Sequence, residues 1–182
     1  MSELAFGEVV GIEQIGEGMR VCLDLADMLD PAEGVCVGDS GHGFLLVLSE
    51  SQVSATYPAR PFRINCGAIH QYLVIGSEQT CYLSELHSEM SVRVVHATTG
   101  AVRTVPVGRI KMEKRPLLRV ILNYREQRIS ATLQAADSVR LQTKAGGAMD
   151  VQHLQQGAHV RLLADRPGRH LGQRIEEQIY EV

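Results

Sequence analysis

The sequence predicts a mainly β protein built from small closed or barrel-like β units with short helical turns. Apolar and polar residues alternate with a period of two in residues 19–25 and 129–133, the pattern of a half-buried strand. Continuous apolar runs at residues 44–48 and 117–122 are typical of strands covered on both faces. Closure of the sheet is favoured because it removes exposed strand edges.

Turn signals separate these segments, at residues 33–34, 41–43, 99–100 and 146–147. Helical periodicity is weak by comparison. We expect one or two helical turns near residues 25–29 and a helical stretch at residues 174–180.

A faint internal repeat suggests two similar β units. Residues 83–95 align with residues 151–163, so that Leu86 corresponds to Leu154. Two unrelated hairpins of a small β-barrel would look the same. Because no linker rich in Pro, Gly and Ser separates the units, we predict one domain over residues 1–182, with two lobes of about residues 1–80 and 81–182.

Composition narrows the class of protein. The chain has 182 residues, 45% of them hydrophobic and 21% charged, and a formal net charge of -3, which excludes general disorder and gives no electrostatic reason for nucleic-acid binding. No apolar run approaches the ~20 residues of a membrane span, and the first residues do not form a secretory signal. The four cysteines lack a CxxC spacing. We therefore expect reduced thiols, a cytoplasmic location, and neither a nucleic-acid nor a membrane partner.

The string Gly38-Asp39-Ser40-Gly41 is shared with trypsin-like serine proteases. Those enzymes place their histidine and aspartate before the serine, whereas the 39 residues before Ser40 contain no histidine. The preferred interpretation is a glycine-rich turn that leads into a strand at Phe44. An anion-binding nest of backbone amides is the alternative.

Residues 59–70 carry four polar side chains in an otherwise apolar stretch: Arg60, Arg63, Asn65 and His70. In an extended segment Arg63 and Asn65 point to the same side. A guanidinium beside an amide suits a carboxylate or hydroxy-acid ligand. A surface strand with solvated arginines is the ordinary alternative.

A second polar cluster occupies residues 108–116. Arg109, Lys111 and Glu113 alternate with apolar residues, so one face of this strand is charged. A lysine beside apolar walls can serve as a base or as a Schiff-base amine. An amphipathic edge strand explains the same alternation and is preferred from these residues alone.

A third cluster, residues 168–172, places His170 between glycines after a proline turn. With His70 and Glu85 it would supply two imidazoles and one carboxylate, a set that suits divalent manganese, iron or zinc. The three residues are far apart in sequence, so no ligand spacing supports the set.

These strings, in this order, resemble the C-terminal half of the archaeal-type 3-dehydroquinate synthases, the 3-dehydroquinate synthase II family. The resemblance runs from about Gly7 to the end of the chain and is most specific at Arg60-Pro61-Phe62-Arg63-Ile64-Asn65. The matching strings occupy residues 18–24, 33–34, 37–38, 43–47, 49–50, 59–70, 82–86, 107–111, 115–118, 132–136, 168–172 and 175–177.

The resemblance implies a specific chemistry. Full-length members act on a linear seven-carbon 2-amino-6-keto acid, remove its amine with NAD and close the ring to 3-dehydroquinate. A related branch keeps the amine, is metal-supported and forms 3-amino-4-hydroxybenzoate. Both need a base, an electrophile for the enolate oxygen and a clamp for the carboxylate.

The resemblance therefore implies a metal-assisted cyclase or lyase of this type, with its functional side chains converging in one cavity of the sheet. Lys111, Glu85 and His70 are the expected catalytic residues, with Lys111 as base or iminium-forming amine. The expected metal ligands are His70, Glu85 and His170, with manganese preferred over iron or zinc. The expected substrate-binding residues are Arg60, Arg63, Asn65, Arg109, Arg115 and Gln134.

The resemblance covers only the C-terminal half of the family, and no GxGxxG turn follows a strand. NAD is therefore a doubtful cofactor for this chain. We expect a small amino-keto acid as ligand and either a homo-oligomer or a separate partner chain. The competing hypotheses are a non-catalytic or partner-dependent β module that completes a split enzyme, and an enzyme of a specialised pathway that uses another keto acid.

Overall fold

The computed structural model describes residues 3–165, 169–170, 173–174 and 180–182, and these residues form a mainly β structure. The prediction of fold class is therefore confirmed. A 3-10 turn at Leu83–Glu85 interrupts the strands. The strands are β1 (Glu3–Leu25), β2 (Glu33–Gly38), β3 (Gly43–Leu48), β4 (Arg63–Ala68), β5 (Tyr72–Gly76), β6 (Gln79–Tyr82), β7 (Ser91–His96), β8 (Val102–Tyr124), β9 (Gln127–Gln134), β10 (Arg140–Gln142), β11 (Ala148–Asp150), β12 (His159–Ala164), β13 (Arg169–His170) and β14 (Gln173–Arg174).

All these strands belong to one 14-stranded antiparallel sheet. Six of them form a circuit of pairings, in which β3 pairs with β12, β12 with β1, β1 with β8, β8 with β7, β7 with β2, and β2 again with β3. Strand β4 joins β1 beside this circuit, and β9 joins β8. Each strand of the circuit therefore has neighbours on both sides, which protects its edges. The barrel-like closure of separate small units stays a prediction.

Strands β1 and β8 are each 23 residues long and pair along most of their length, from Glu8 opposite Asn123 to Leu25 opposite Val107. The register shifts at three places, one of them between Gln14 and Gly16. Gly16 has a φ of +98°, a conformation that glycine adopts without strain. Such bulges bend a long strand, so β1 can pair with β12 at one end and with β4 at the other.

The internal repeat has a structural counterpart. In both aligned segments a buried leucine, Leu86 or Leu154, precedes a short strand, β7 or β12. Strand β7 pairs with the beginning of β8, whereas β12 pairs with the beginning of β1. The two aligned segments thus end on the first residues of the two 23-residue strands. The division into lobes near residue 80 stays a prediction.

Two layers of apolar side chains flank β3. Leu45 and Val47 belong to the larger core cluster, whereas Phe44, Leu46 and Leu48 belong to a smaller one. All five side chains are almost completely buried. The continuous apolar run at residues 44–48 therefore marks a strand covered on both faces, as predicted.

The helical turn expected near residues 25–29 is wrong. Leu25 ends β1, and the chain bends away. The backbone N–H of Ala26 donates to the Pro106 carbonyl at 2.9 Å, and that of Leu29 donates to the Pro61 carbonyl at 2.9 Å. These donors are used by neighbouring segments and not by a local helix. In the helical stretch expected at residues 174–180, residues 175–179 lie outside the described residues, and Arg174 belongs to β14.

The four cysteines are free and buried. Within the described ranges, no helix has the length and the apolar character that a crossing of the bilayer requires.

Candidate functional site

Three neighbouring strands, β8, β1 and β4, share a polar face. Every second residue of a strand points to the same side, and the register aligns these residues in rows across the strands. Asp24 of β1 lies between Arg109 of β8 and Arg63 of β4. In the next row Cys22 lies between Lys111 and Asn65, and in the one after that Arg20 lies opposite Glu113.

A bulge in β4 sets the position of Asn65. The register of β4 against β1 shifts between Val21 and Cys22, so that Gly67 pairs with Val21 and Asn65 with Cys22. Gly67 has a φ of +84°, and a Cβ there would collide with the carbonyl oxygen of Thr132. Glycine is therefore required at the bulge. The Asn65 amide is held by donation of its Nδ2 to the Gln134 Oε1 at 2.8 Å.

Asp24 anchors the first row. Its carboxylate accepts hydrogen bonds from Arg63 Nε at 2.7 Å, from Arg63 Nη2 at 3.0 Å and from Arg109 Nε at 2.8 Å. Burial raises the pKa of Asp24, but the hydrogen bonds from Arg63 and Arg109 outweigh it, so the pKa lies below its ordinary value. The carboxylate stays ionised and fixes the Arg63 guanidinium.

The polar face lines a cavity of about 180 Å³, which we call the cationic cavity. Five cationic side chains line it against two carboxylates, although the whole chain carries a net charge of -3. A concave site with a local excess of positive charge attracts anions, and guanidinium groups match carboxylates in shape. The lining residues are Arg20, Cys22, Glu50, Tyr57, Arg60, Arg63, Asn65, Lys111, Glu113, Arg115, Gln134 and Ser138.

Arg20 is the most buried cation of the cavity, at 7% exposure. Its Nη1 donates to Gln134 Oε1 at 2.8 Å and its Nη2 to Glu113 Oε1 at 3.1 Å. The Nε atoms of Arg20 and Arg60 are buried and have no hydrogen-bond partner among the described residues. The cavity therefore holds donor capacity that its own acceptors do not use.

The two carboxylates of the cavity differ in environment. Glu113 contacts Arg20, Arg115 and Lys111, whose Nζ lies 3.6 Å from the Glu113 Oε1. Partial burial raises the pKa of Glu113, but these cations outweigh it and the pKa lies below its ordinary value. Glu50 is 4% exposed and pairs with Arg60. Burial raises the pKa of Glu50, and the attraction of Arg60 does not fully offset it.

A second and larger cavity, of about 670 Å³, contains an aspartate–histidine pair, and we call it the Asp39–His70 cavity. Asp39 accepts hydrogen bonds from Ser130 Oγ and Thr132 Oγ1, each at 2.7 Å, and its Oδ1 lies 2.7 Å from His70 Nε2. Burial raises the pKa of Asp39, but the hydrogen bonds from His70, Thr132 and Ser130 outweigh it and keep the pKa below its ordinary value.

The structure brings together most of the substrate-binding residues that the sequence predicted. The cationic cavity contains five of them, Arg60, Arg63, Asn65, Arg115 and Gln134, together with Lys111, which was predicted as a catalytic residue. Arg109 is 62% exposed at its edge and shares the Asp24 carboxylate with Arg63. These residues assemble because three strands present alternate side chains to one face.

The structure does not bring His70 and Glu85 into the same cluster. His70 lines the Asp39–His70 cavity, because the chain leaves β4 at Ala68 and turns towards Asp39. Glu85 accepts a hydrogen bond from the Tyr82 backbone N–H at 2.8 Å across the 3-10 turn. The expectation of one shared cavity is therefore wrong for His70 and Lys111, which line different ones.

The expected metal ligands do not converge in the described residues. Within the described part of the chain, no three His, Cys, Asp or Glu side chains are grouped so that they could hold a metal ion. The backbone of His170 pairs with Gln173 in the β13–β14 hairpin, and its imidazole lies outside what the structure describes. The described members of the set do not fit a metal centre, and the assignment of His70, Glu85 and His170 stays a prediction.

Sequence reasoning missed Arg20, Asp24 and Glu50. Arg20 and Asp24 alternate with apolar residues and were interpreted as the solvent side of a half-buried strand, yet they are 7% and 3% exposed. The signal that could have identified Arg20 and Asp24 is the presence of residues of opposite charge, Glu113 and Arg109, on strand β8. Buried charges need such partners. Glu50 follows a fully apolar strand, where a polar residue often ends burial.

The fold and the site define a mainly β domain with a cationic cavity suited to an organic acid. The sequence model of the 3-dehydroquinate synthase II C-terminal domain matches residues 6–182, and the chain belongs to this family. The family inferred from the sequence is thereby confirmed. No solved structure matches the chain.

Curated relatives agree with this assignment. A protein of Haloquadratum walsbyi named 3-dehydroquinate synthase is 39% identical over 179 residues, which cover 98% of this chain and 44% of the relative. Proteins with the same name from Methanosarcina acetivorans and Methanococcoides burtonii are 39% and 40% identical, and each alignment covers 47% of the relative. The chain spans about half the length of the curated relatives it matches.

Proposed function

We propose that this chain binds a linear seven-carbon 2-amino-6-keto acid in the cationic cavity and contributes to its ring closure, as a cyclase of the 3-dehydroquinate synthase II type. The ring product would be 3-dehydroquinate or a 3-amino-4-hydroxybenzoate-like compound. The observation that carries the proposal is the cluster of five cationic side chains around Gln134 and Asn65, in a chain whose net charge is negative.

The carboxylate of the ligand would lie against the guanidinium groups of the cavity. Arg60 and Arg63 enter from the segment around the beginning of β4, and Arg115 enters from β8. Arg63 is already held in place by Asp24, so it loses little freedom on binding. Bidentate guanidinium–carboxylate contacts fix the direction of the ligand as well as its position.

Ring closure joins the carbon beside a ketone to a second carbonyl carbon. Lys111 would meet the ketone, as a base or as the amine that forms an iminium, because its side chain lines the cavity beside Arg115 and Glu113. Gln134 and Asn65, which are linked at 2.8 Å, would orient the polar groups between the two reacting carbons.

A divalent metal, with manganese preferred over iron or zinc, belongs to this proposal only as an addition to be tested. It would supply Lewis acidity at the ketone when bound. No step above depends on the metal. Ring closure itself needs no NAD, but formation of 3-dehydroquinate from the 2-amino acid first requires oxidation of the amine-bearing carbon to a carbonyl, for which NAD would be the two-electron acceptor. We place the protein in the cytoplasm, where aromatic precursors of this kind are made and thiols stay reduced.

A second candidate function is a partner-dependent module. The relatives are about twice as long as the matching region, so residues from another segment or a separate chain would complete the site. This chain would then bind the acid without closing the ring. A homo-oligomer that supplies such residues is the other form of this proposal.

The deciding experiment incubates the purified chain with the linear keto acid, with and without manganese and with and without NAD, and identifies the products by mass spectrometry and NMR. Ring product from the chain alone supports the cyclase. Binding of the acid without ring product, followed by ring formation when a co-purified partner is added, supports the module. Absence of binding to this acid under every condition would reject both candidates.

A further inference from the structure

We propose that Glu50 is the residue that moves the proton in the cationic cavity, and that Glu113 is a positioning residue that holds the cations around it. This inference rests on the proposed function, because it assigns a step of that reaction to a residue that the sequence did not single out. It assigns proton transfer to Glu50 and electrostatic support to Glu113. It also replaces Lys111 as the base of the proposed reaction, so that Lys111 acts as the cation that stabilises the enolate oxygen.

The main chain fixes Glu50 at the wall of the cavity. Glu50 follows β3, and its backbone N–H donates to the Arg63 carbonyl at 2.8 Å. The Arg60 N–H donates to the Glu50 carbonyl at 2.6 Å, and the two side chains form an ion pair. The side chain is 4% exposed and nevertheless lines the cavity. Glu50 therefore borders the ligand space while it is almost completely shielded from bulk water.

The groups around the Glu50 carboxylate leave one oxygen available. Arg60 donates to Oε1. Arg63, Arg20 and the Cys22 thiol are the other charged or titratable groups near it. No group in the described residues donates a hydrogen bond to Oε2. A ligand C–H or O–H in the cavity could therefore exchange a proton with this oxygen.

Glu113 has the opposite environment. Its side chain is 34% exposed and is surrounded by Arg20, Lys111 and Arg115. The pKa of Glu50 is raised by burial, whereas that of Glu113 is lowered because its three cations outweigh its partial burial. Two carboxyl groups whose environments separate their pKa values take different parts in acid–base chemistry.

The aldol step balances without an oxidant once the ligand carries its second carbonyl. For 3-dehydroquinate that carbonyl forms beforehand, when NAD or another two-electron acceptor removes the amine, whereas the proton exchange assigned to Glu50 needs only the ketone. Ionised Glu50 takes a proton from the carbon beside the ketone, and the C–H electron pair becomes the enolate, whose oxygen is stabilised by the Lys111 ammonium. The enolate carbon forms the C–C bond to the second carbonyl carbon. The π electrons of that carbonyl move to its oxygen, which takes the proton back from Glu50. The carboxylate is regenerated, and the ligand has changed its bonding without net loss of electrons.

The test measures proton exchange separately from ring closure. The chain is incubated with the linear keto acid in D₂O, and NMR follows deuterium incorporation at the carbon beside the ketone. Glu50→Gln should slow exchange by about 10²–10⁴-fold, and Glu50→Asp should restore part of it. Glu113→Gln should act mainly on KM. Glu13→Gln, a glutamate in the Asp39–His70 cavity, is the control that should leave exchange unchanged.

The pH profile of the unmodified chain gives a readout that does not depend on the folding of a variant. The exchange rate should rise with pH through an apparent pKa above the ordinary glutamate value of about 4.3. Exchange by Glu50→Gln at the unmodified rate, or an acid limb at or below that value, would overturn the assignment while binding and turnover still supported the proposed function. If the unmodified chain neither binds nor exchanges the acid, the proposed function fails and this inference fails with it.

Discussion

The cationic cavity and the Asp39–His70 cavity lie along the same face of strand β8 and differ in their chemistry. Lys111 and Arg115 line the first, and Arg119 and Ile121 line the second. The second is larger, at about 670 Å³ against about 180 Å³. However, the guanidinium groups of Arg119 and Arg128 in the second cavity face three carboxylate side chains, those of Glu13, Asp39 and Glu181. In the first cavity, cations exceed carboxylates by five to two. The comparison teaches that local charge, and not volume, distinguishes the cavity that we propose as the acid-binding site.

Each cavity contains a buried aspartate with a lowered pKa, but the causes differ. Burial raises both values, and the hydrogen bonds that outweigh it come from Arg63 and Arg109 at Asp24, and mainly from His70, Thr132 and Ser130 at Asp39. Guanidinium groups are always charged, whereas hydroxyl groups are neutral. Asp39 also has a guanidinium neighbour, but Arg119 Nε lies 3.5 Å from its Oδ2, farther than the 2.7–3.0 Å hydrogen bonds that Asp24 accepts from Arg63 and Arg109. The first aspartate is therefore held by guanidinium groups, and the second mainly by hydroxyl and imidazole groups.

Strand β9 forms a wall common to both cavities. Ser130 and Thr132 bind Asp39, and Gln134, on the same face of the strand, binds Arg20 and Asn65. A substitution that displaces β9 should therefore affect both cavities, whereas a substitution in the lining of one cavity should affect only that cavity.

The largest effect is expected for Gly67→Ala. A Cβ at this position would meet the Thr132 carbonyl oxygen, and the positive φ of +84° adds backbone strain. We expect a loss of about 4 kcal/mol or more in the free energy of unfolding, measured by urea denaturation, and a loss of ligand binding in the cationic cavity.

Gly147→Ala is the matched control for backbone strain. Gly147 also has a positive φ, of +71°, but a Cβ there meets no described atom within 4 Å. Its cost should be about 1 kcal/mol. Equal losses for the two variants would mean that Gly67 contributes only its backbone conformation and that the shared wall does not constrain it.

The next effect separates the two aspartates. Asp24→Asn leaves Arg63 and Arg109 without their counter-charge and should cost about 3 kcal/mol at pH 7. Asp39→Asn loses the anionic acceptor of neutral hydroxyl groups and should cost about 1.5 kcal/mol. Urea denaturation of both variants and of the unmodified chain measures these differences.

The dependence of stability on pH shows whether the Asp24 and Asp39 carboxylates stabilise the fold in their ionised form. A lowered carboxyl pKa contributes stability above the unfolded value of about 3.9, and this stability is lost as the pH falls through the lower folded value. The difference between the unmodified chain and either variant should therefore be largest near neutral pH and disappear in acid. A difference that persisted in strong acid would show that packing, and not ionisation, is responsible.

The smallest effect compares Arg115→Gln with Arg119→Gln. The two arginines lie on the same face of β8 and have similar exposure, at 39% and 37%. Arg115→Gln should weaken binding of the seven-carbon dicarboxylate pimelate about tenfold, or about 1.4 kcal/mol, in isothermal titration calorimetry. Arg119→Gln should leave the affinity unchanged. Equal weakening by both would indicate long-range attraction and no defined site.

The sequence by itself determined the mainly β class, the family, and half of the twelve residues that line the cationic cavity. Alternation with a period of two depends on strand geometry alone, so Arg63 and Asn65 could be placed on one side before any contact was known. The charged face of residues 109–115 follows from the same geometry. The buried strand at residues 44–48 follows from its uninterrupted apolar run.

Only the tertiary structure decided which faces meet. Arg20 and Asp24 have the pattern of a solvent face, and they are buried because β8 and β4 place opposite charges beside them. His70 and Asn65 are five residues apart, yet the turn after β4 directs them into different cavities. The bend at residues 26–29 likewise depends on hydrogen bonds to Pro61 and Pro106. Pairings between distant segments have no signature in local periodicity, because their energy comes from contacts that exist only after the sheet has formed.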